Sequence, residues 1–189
     1  MSKRTKFLWL VLIVDAICSI IMGELESAKW KLQVKCMEIR LAALDDVEPI
    51  CLLYNEFFEY NASLQPEYYK SGIERGGYPE SVIKDAKSDI IVAVESGAIV
   101  GFIHIRQMHT PPFDSLVQHT YAEINDFITT AKYRRMGIGT ELMNAAKQWA
   151  VERSLGYIEL FVLSNAKNEV RFYEHNEFET VSHTMRCQL

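Results

Sequence analysis

Between Tyr133 and Met143 the chain reads YRRMGIGTELM, with two arginines leading into Gly137-Ile138-Gly139 where a helical pattern begins. A glycine weakens a helix by ~1 kcal/mol relative to alanine, so two of them at a helix start call for a reason. A strand, this turn and a helix would leave several backbone N–H groups without acceptors. Those groups and the helix dipole attract an anion. Glycine lets the anion approach the backbone closely, and Arg134 and Arg135 add charge-assisted bonds. The chemistry suggested is phosphate binding, with a ligand-free helix start as the alternative. No Lys-Ser/Thr follows the glycines, and Leu142 stands where G-x-G-x-x-G needs its third glycine. A P-loop and a dinucleotide fingerprint are therefore both rejected.

The other reactive residue types form no comparable pattern. His104, His109, His119, His175 and His183 have no metal-ligand spacing, and no Ser-His-Asp order stands out, so no metal and no covalent nucleophile is assigned. Cys18, Cys36, Cys51 and Cys187 show neither paired metal spacing nor a dense disulfide pattern. They read as reduced thiols.

Several elements must position the glycine turn. MEIRLA alternates as a strand, and Asp45-Asp46 can cap a helix with Val47, Ile50, Leu53 and Tyr54 on its apolar side. FFEYNASLQPEYYKSGIERGGYP reads as helix pieces and loops. DIIVAVESGAIVGFIHIRQM is two strands around Glu-Ser-Gly. HTYAEINDFITTA is another strand, and 134–153 a helix ending near Gly156, a plausible residue just past the helix end. YIELFVLS is a strand, NEVRFYEHN a short helix and FETVSHTMRCQL a closing strand. Ile138, Leu142, Met143, Ala146, Trp149 and Ala150 share one helix face, read as core. The order describes an α/β fold, a mixed sheet flanked by helices.

The formal charge of −5 is uneven. Residues 1–36 hold six basic and three acidic side chains and carry +3; the remainder carries −8. An acidic body argues against broad nucleic-acid binding and suits a cationic partner. The apolar run 7–22 is shorter than the ~20 residues of a spanning helix and contains Asp15. It opens like a signal peptide, but no A-x-A-like site follows. Residues 1–36 therefore read as an extension, either a weak membrane anchor or an upstream start preceding Met37, and 37–189 as the globular domain.

Arg134, Gly137 and Gly139, following the strand that ends in DFITTAKY, resemble the acyl-CoA signature R-x-x-G-x-G of the GCN5-related N-acetyltransferase (GNAT) superfamily. NAKNEVRFYEHNEF is similar to a second family element through Phe172, Tyr173, Glu174 and Phe178. The resemblance implies the acyl-CoA N-acyltransferase fold, a mostly antiparallel sheet of six to seven strands whose central parallel pair splays around Phe127 and Phe161. It implies acetyl-CoA in that V, against Phe127, Ile128 and Thr129, with its pyrophosphate on Arg134, Arg135, Met136, Gly137, Ile138, Gly139 and Thr140. Asn165 or Asn168 takes the family's asparagine position. Glu169 replaces a small residue. Glu177 replaces a glycine, with Asn176 able to shift the turn by one.

The implied reaction is transfer of the acetyl group of acetyl-CoA to a primary amine, small-molecule or peptide, by direct attack in a ternary complex. Tyr173 matches the general acid and Glu123 the base acting through water. Asp126 falls on the other strand face by simple alternation. The acceptor is expected near 55–69 and 110–114, where Glu56, Glu59, Glu67 and tyrosines could hold an ammonium. Cytoplasmic placement follows from the intracellular co-substrate. A non-catalytic acyl-CoA-binding module, a membrane-tethered interaction protein in contact through residues 7–22, and a homodimer all remain open.

Overall fold

The computed structural model describes residues 37–188; the expectations for residues 1–36 lie outside the described residues. Strand β1 (Glu38–Leu41) leads through a short 3-10 turn into helix α1 (Val47–Leu64), and helix α2 (Gly77–Lys84) follows. Then come strands β2 (Ser88–Glu95), β3 (Ala98–His109) and β4 (Thr120–Thr129), helix α3 (Ile138–Glu152), strand β5 (Ile158–Leu160) and helix α4 (Lys167–His175). The sheet order is β1-β2-β3-β4-β5. Its first four strands are antiparallel and β5 runs parallel to β4.

The near-continuous apolar runs of β2 and β3 follow from burial on both faces. Ile90, Val92, Val94, Phe102 and Ile128 pack with Ile50, Leu53, Tyr54 and Val82 of α1 and α2. On the opposite face lies α3, whose expected apolar stripe, Ile138, Leu142, Met143, Ala146, Trp149 and Ala150, is buried throughout. Full burial of one such side chain contributes ~1.5–3 kcal/mol. Gly101 on β3 sits where a Cβ would lie 2.8 Å from the Ile128 carbonyl oxygen, so the strand crossing admits no side chain there.

Four features differ from the sequence expectation. Five strands pair among the described residues, not six or seven, because β5 pairs over three residues only and 178–188 is irregular. In that last segment Phe178 packs against the Tyr173 ring, while Val181 and Met185 are exposed. The long helix starts at Ile138, not Arg134, because Arg135 and Gly137 take positive φ (64° and 84°). Its end is closed by Ser154 (φ 56°), not Gly156, with Leu155 N–H donating to the Ala150 carbonyl over 3.0 Å. α4 closes the same way at Glu177 (φ 69°), with no shift to Asn176, and Phe178 N–H reaches the Tyr173 carbonyl over 3.0 Å. Both are Schellman closures built without glycine.

Candidate active site

β4 pairs with β3 from Thr120 to Thr129 but with β5 only from Ala122 to Ile124. Beyond Ile124, the β5-facing edge of β4 meets no strand among the described residues. The parallel pair thus splits just before Phe127, while Phe161, past the end of β5, is exposed. α4 brings an aromatic cluster to the split: the Phe127 ring lies 5.5 Å from Phe172 and 6.3 Å from Tyr173.

The open edge leads into the glycine turn. The first turn of α3 is closed by Glu141 N–H donating to the Gly137 carbonyl over 3.1 Å. The N–H groups of Ile138, Gly139 and Thr140 therefore precede the helical ladder. The positive φ of Gly137 is reached there without a Cβ, and a Cβ would point into open space. A Cβ on Gly139 would instead touch Phe127 and Phe172 at 3.4 Å. Arg135 and Thr140 are exposed beside these groups. A helix start with this backbone suits an anion.

Arg134 points elsewhere. Its Nε donates to the Thr129 carbonyl over 3.0 Å, and its guanidinium lies 3.5 Å from Glu56 and 5.3 Å from the Tyr60 ring centroid. Glu56 also accepts from Thr130 Oγ1 (2.7 Å) and Ala131 N–H (2.8 Å). Arg134 and Glu56 thus fasten the start of the turn to α1, so Glu56 is engaged and not available to an acceptor. Tyr60 donates to Glu169 Oε1 over 2.7 Å. Burial, and then that bond, push its phenol up to about 12. The acidic side chain at 169, where a small residue was expected, thus has a partner on α1.

Asn165 Nδ2 donates to the Leu64 carbonyl at the end of α1 over 2.7 Å. Asn168 is exposed near the start of α4. Tyr173, on α4, has no hydrogen bond to its hydroxyl among the described residues. Burial, and then the Glu169 carboxylate, push its phenol well above the usual range. It also lines a groove of about 1190 Å³ on the outer edge of β5, beside Lys147 and Phe178.

The carboxylates of β4 are arranged by a bulge. Ile124 pairs with Ile105 and Asp126 with His104, so Asn125 is the extra residue. Glu123 opposes Arg106, two residues from His104 and on the same face. The bulge therefore puts Asp126 on the face of Glu123, against the alternation expected from sequence. Arg106 Nε donates to Glu123 Oε2 over 2.7 Å, and its terminal nitrogen joins the same oxygen. Tyr54 donates to Asp126 Oδ2 over 2.9 Å, with Tyr78 and His104 converging on that oxygen. Tyr54, Tyr78 and His104 were not singled out by sequence as site residues. Asn125-Asp126, two poor strand formers inside a strand, is the signal that could have located the bulge.

Residues 47–178 match the model of the acetyltransferase (GNAT) family. The chain belongs to the GNAT family. An uncharacterized N-acetyltransferase of Methanocaldococcus jannaschii is 27% identical over 146 residues, 77% of this chain. The chain spans 62% of the length of that relative. A single-site mutant of the BH1408 protein of Bacillus halodurans superposes with a TM-score of 0.78 at 22% identity, covering 81% of this chain and 99% of that one. Aminoglycoside N-acetyltransferase AAC(6')-Iy in complex with CoA superposes with a TM-score of 0.61 at 13% identity, covering 82% and 95%. These likenesses show a GNAT fold, and the split strand pair and glycine turn lie within the matched residues. No helix among the described residues is long and apolar enough to cross a membrane.

Proposed function

We propose that this GNAT chain transfers the acetyl group of acetyl-CoA to a primary amine by direct attack in a ternary complex. The observation that carries the proposal is the continuity of the split between β4 and β5 with the N–H groups at the start of α3. An open strand edge can take the amides of a pantetheine arm as an added strand. The N–H groups of Ile138, Gly139 and Thr140 then receive the pyrophosphate, with Arg135 free of ion pairs among the described residues and able to add charge. Met136 and Gly137 shape that cradle. Arg134 acts through position, by holding the turn to α1.

A backbone N–H near Phe127 or Ile128 stabilises the thioester oxygen as it gains negative charge. Tyr173, held protonated at neutral pH, supplies the proton the departing thiolate needs. Glu123 takes the amine's proton through water. The CoA complex of the aminoglycoside enzyme, a fold relative, supports an acyl-CoA site of this kind.

Calorimetric titration of the full chain with acetyl-CoA tests the reading. Saturable binding is expected for the wild type and for Gly137→Ala, and loss of binding for Gly137→Trp, whose ring would occupy the space above the helix start. A folded wild type that binds no acetyl-CoA would overturn it.

A further inference from the structure

Asp126 is a largely buried carboxylate with no lysine or arginine partner among the described residues. Its side chain is 16% exposed, and its one ionic partner among the described residues is His104. His104 is 3% exposed, and its Nε2 is buried without a hydrogen-bond partner. Its Nδ1 lies 3.2 Å from Asp126 Oδ2 and 3.0 Å from the Tyr78 hydroxyl, so the one ring nitrogen meets both groups. The two other partners of Asp126, Tyr54 and Tyr78, are neutral phenols. All three converge on Oδ2, and Oδ1 has no partner among the described residues.

Glu123 is different. It shares the same face, but the Arg106 guanidinium neutralises it directly. Of the two β4 carboxylates, Asp126 is the one without a lysine or arginine partner, and its Oδ1 is unengaged among the described residues. Leaving such a group unpaired in a partly buried place is unfavourable. The site is also accessible: Tyr78 is 42% exposed at its rim, and its ring can face a cation.

We infer that Asp126 Oδ1, framed by Tyr54, Tyr78 and His104, is the subsite for a primary ammonium group. Asp126 directly precedes Phe127, where the strand pair has split, so an ammonium held there lies beside the open edge of β4. Its assignment as the acceptor's own amine rests on the acetyltransferase reading; the ammonium site itself does not.

The test uses the full chain with 13C-labelled carboxyl groups and n-butylammonium chloride as the probe, with n-butanol as control. The Asp126 signal is identified by its loss in Asp126→Asn, in which the amide oxygen still accepts from Tyr54. A saturable shift of the Asp126 carboxyl signal is expected with butylammonium and not with butanol. The Glu123 carboxyl signal, identified by its loss in Glu123→Gln, should move less than that of Asp126. No saturable shift, or one that tracks Glu123 instead, overturns the inference, and the wild-type titration decides this even if Asp126→Asn fails to fold. Acetyl-CoA calorimetry on the same sample separates the two readings. Loss there with a saturating Asp126 signal removes the acetyltransferase reading and leaves the ammonium site standing.

Discussion

The Tyr60 hydroxyl donates to Glu169 Oε1 over 2.7 Å, joining two residues 109 positions apart. This bond ties α1 to α4, while Arg134 beneath the Tyr60 ring ties α1 to the glycine turn. The two motifs of the family therefore share one support on α1.

That support should show itself at high pH. The Tyr60 phenol is held up to about 12 in the folded chain, against ~10 in an unfolded one. As pH rises from about 10 to about 12 the unfolded chain loses this proton first, so stability falls across that window. Thermal melts of the wild type and Tyr60→Phe should diverge below pH 10 and converge above it. Equal slopes for the two proteins would show that the bond to Glu169 does not hold the proton.

Tyr173 gives a kinetic prediction. Tyr173→Phe keeps the ring contacts with Phe127, Phe172 and Phe178 and removes the hydroxyl alone. Turnover with an accepted amine should fall by about 100-fold, the usual size of a general-acid contribution, with acetyl-CoA affinity unchanged. Because the phenol is raised above its usual range, the wild-type rate should show no loss from Tyr173 ionisation up to about pH 10. Unchanged turnover in the variant would make Tyr173 a packing residue and favour an acyl-CoA-binding module.

Gly101 gives a stability prediction away from the chemistry. A Cβ there would lie 2.8 Å from the Ile128 carbonyl oxygen and 3.3 Å from Leu142 Cδ1. Gly101→Ala should cost at least ~1–3 kcal/mol, as overpacking does, and loosen the pairing of β3 with Thr129. Denaturant unfolding measures it. A cost below ~0.5 kcal/mol would mean that the strand crossing is slack.

Glu177 works in the opposite direction. It holds φ at 69°, a conformation that disfavours an L side chain by ~1–2 kcal/mol. Its ion pair with Lys147, 3.2 Å long and 89% exposed on the Glu177 side, contributes little. Glu177→Gly should raise stability by about 0.5–1 kcal/mol, read as a higher Tm. A lower Tm would show that the Lys147 contact outweighs the backbone strain.

Much of this protein was legible in its sequence because the signals are local. The alternation and apolar runs of β2 and β3, the one-faced stripe of α3 and the glycines at 137 and 139 each depend on neighbours a few residues away. So do the family motifs, which placed the split near Phe127 and Tyr173 beside it. What tertiary structure decided depends on partners far along the chain. The partners of Arg134 and Asn165 on α1, Glu56 and the Leu64 carbonyl, are invisible in the sequence because they lie 78 and 101 positions away. Glu123 and Asp126 read as lying on opposite faces, because a period of two is all that a strand sequence shows. One extra residue, Asn125, reverses that parity, and only the register against His104 and Ile105 reveals it. Whether a carboxylate is paired with a guanidinium, as Glu123 is with Arg106, or held by two phenols and a histidine, as Asp126 is, is fixed by the strands and helices that surround it.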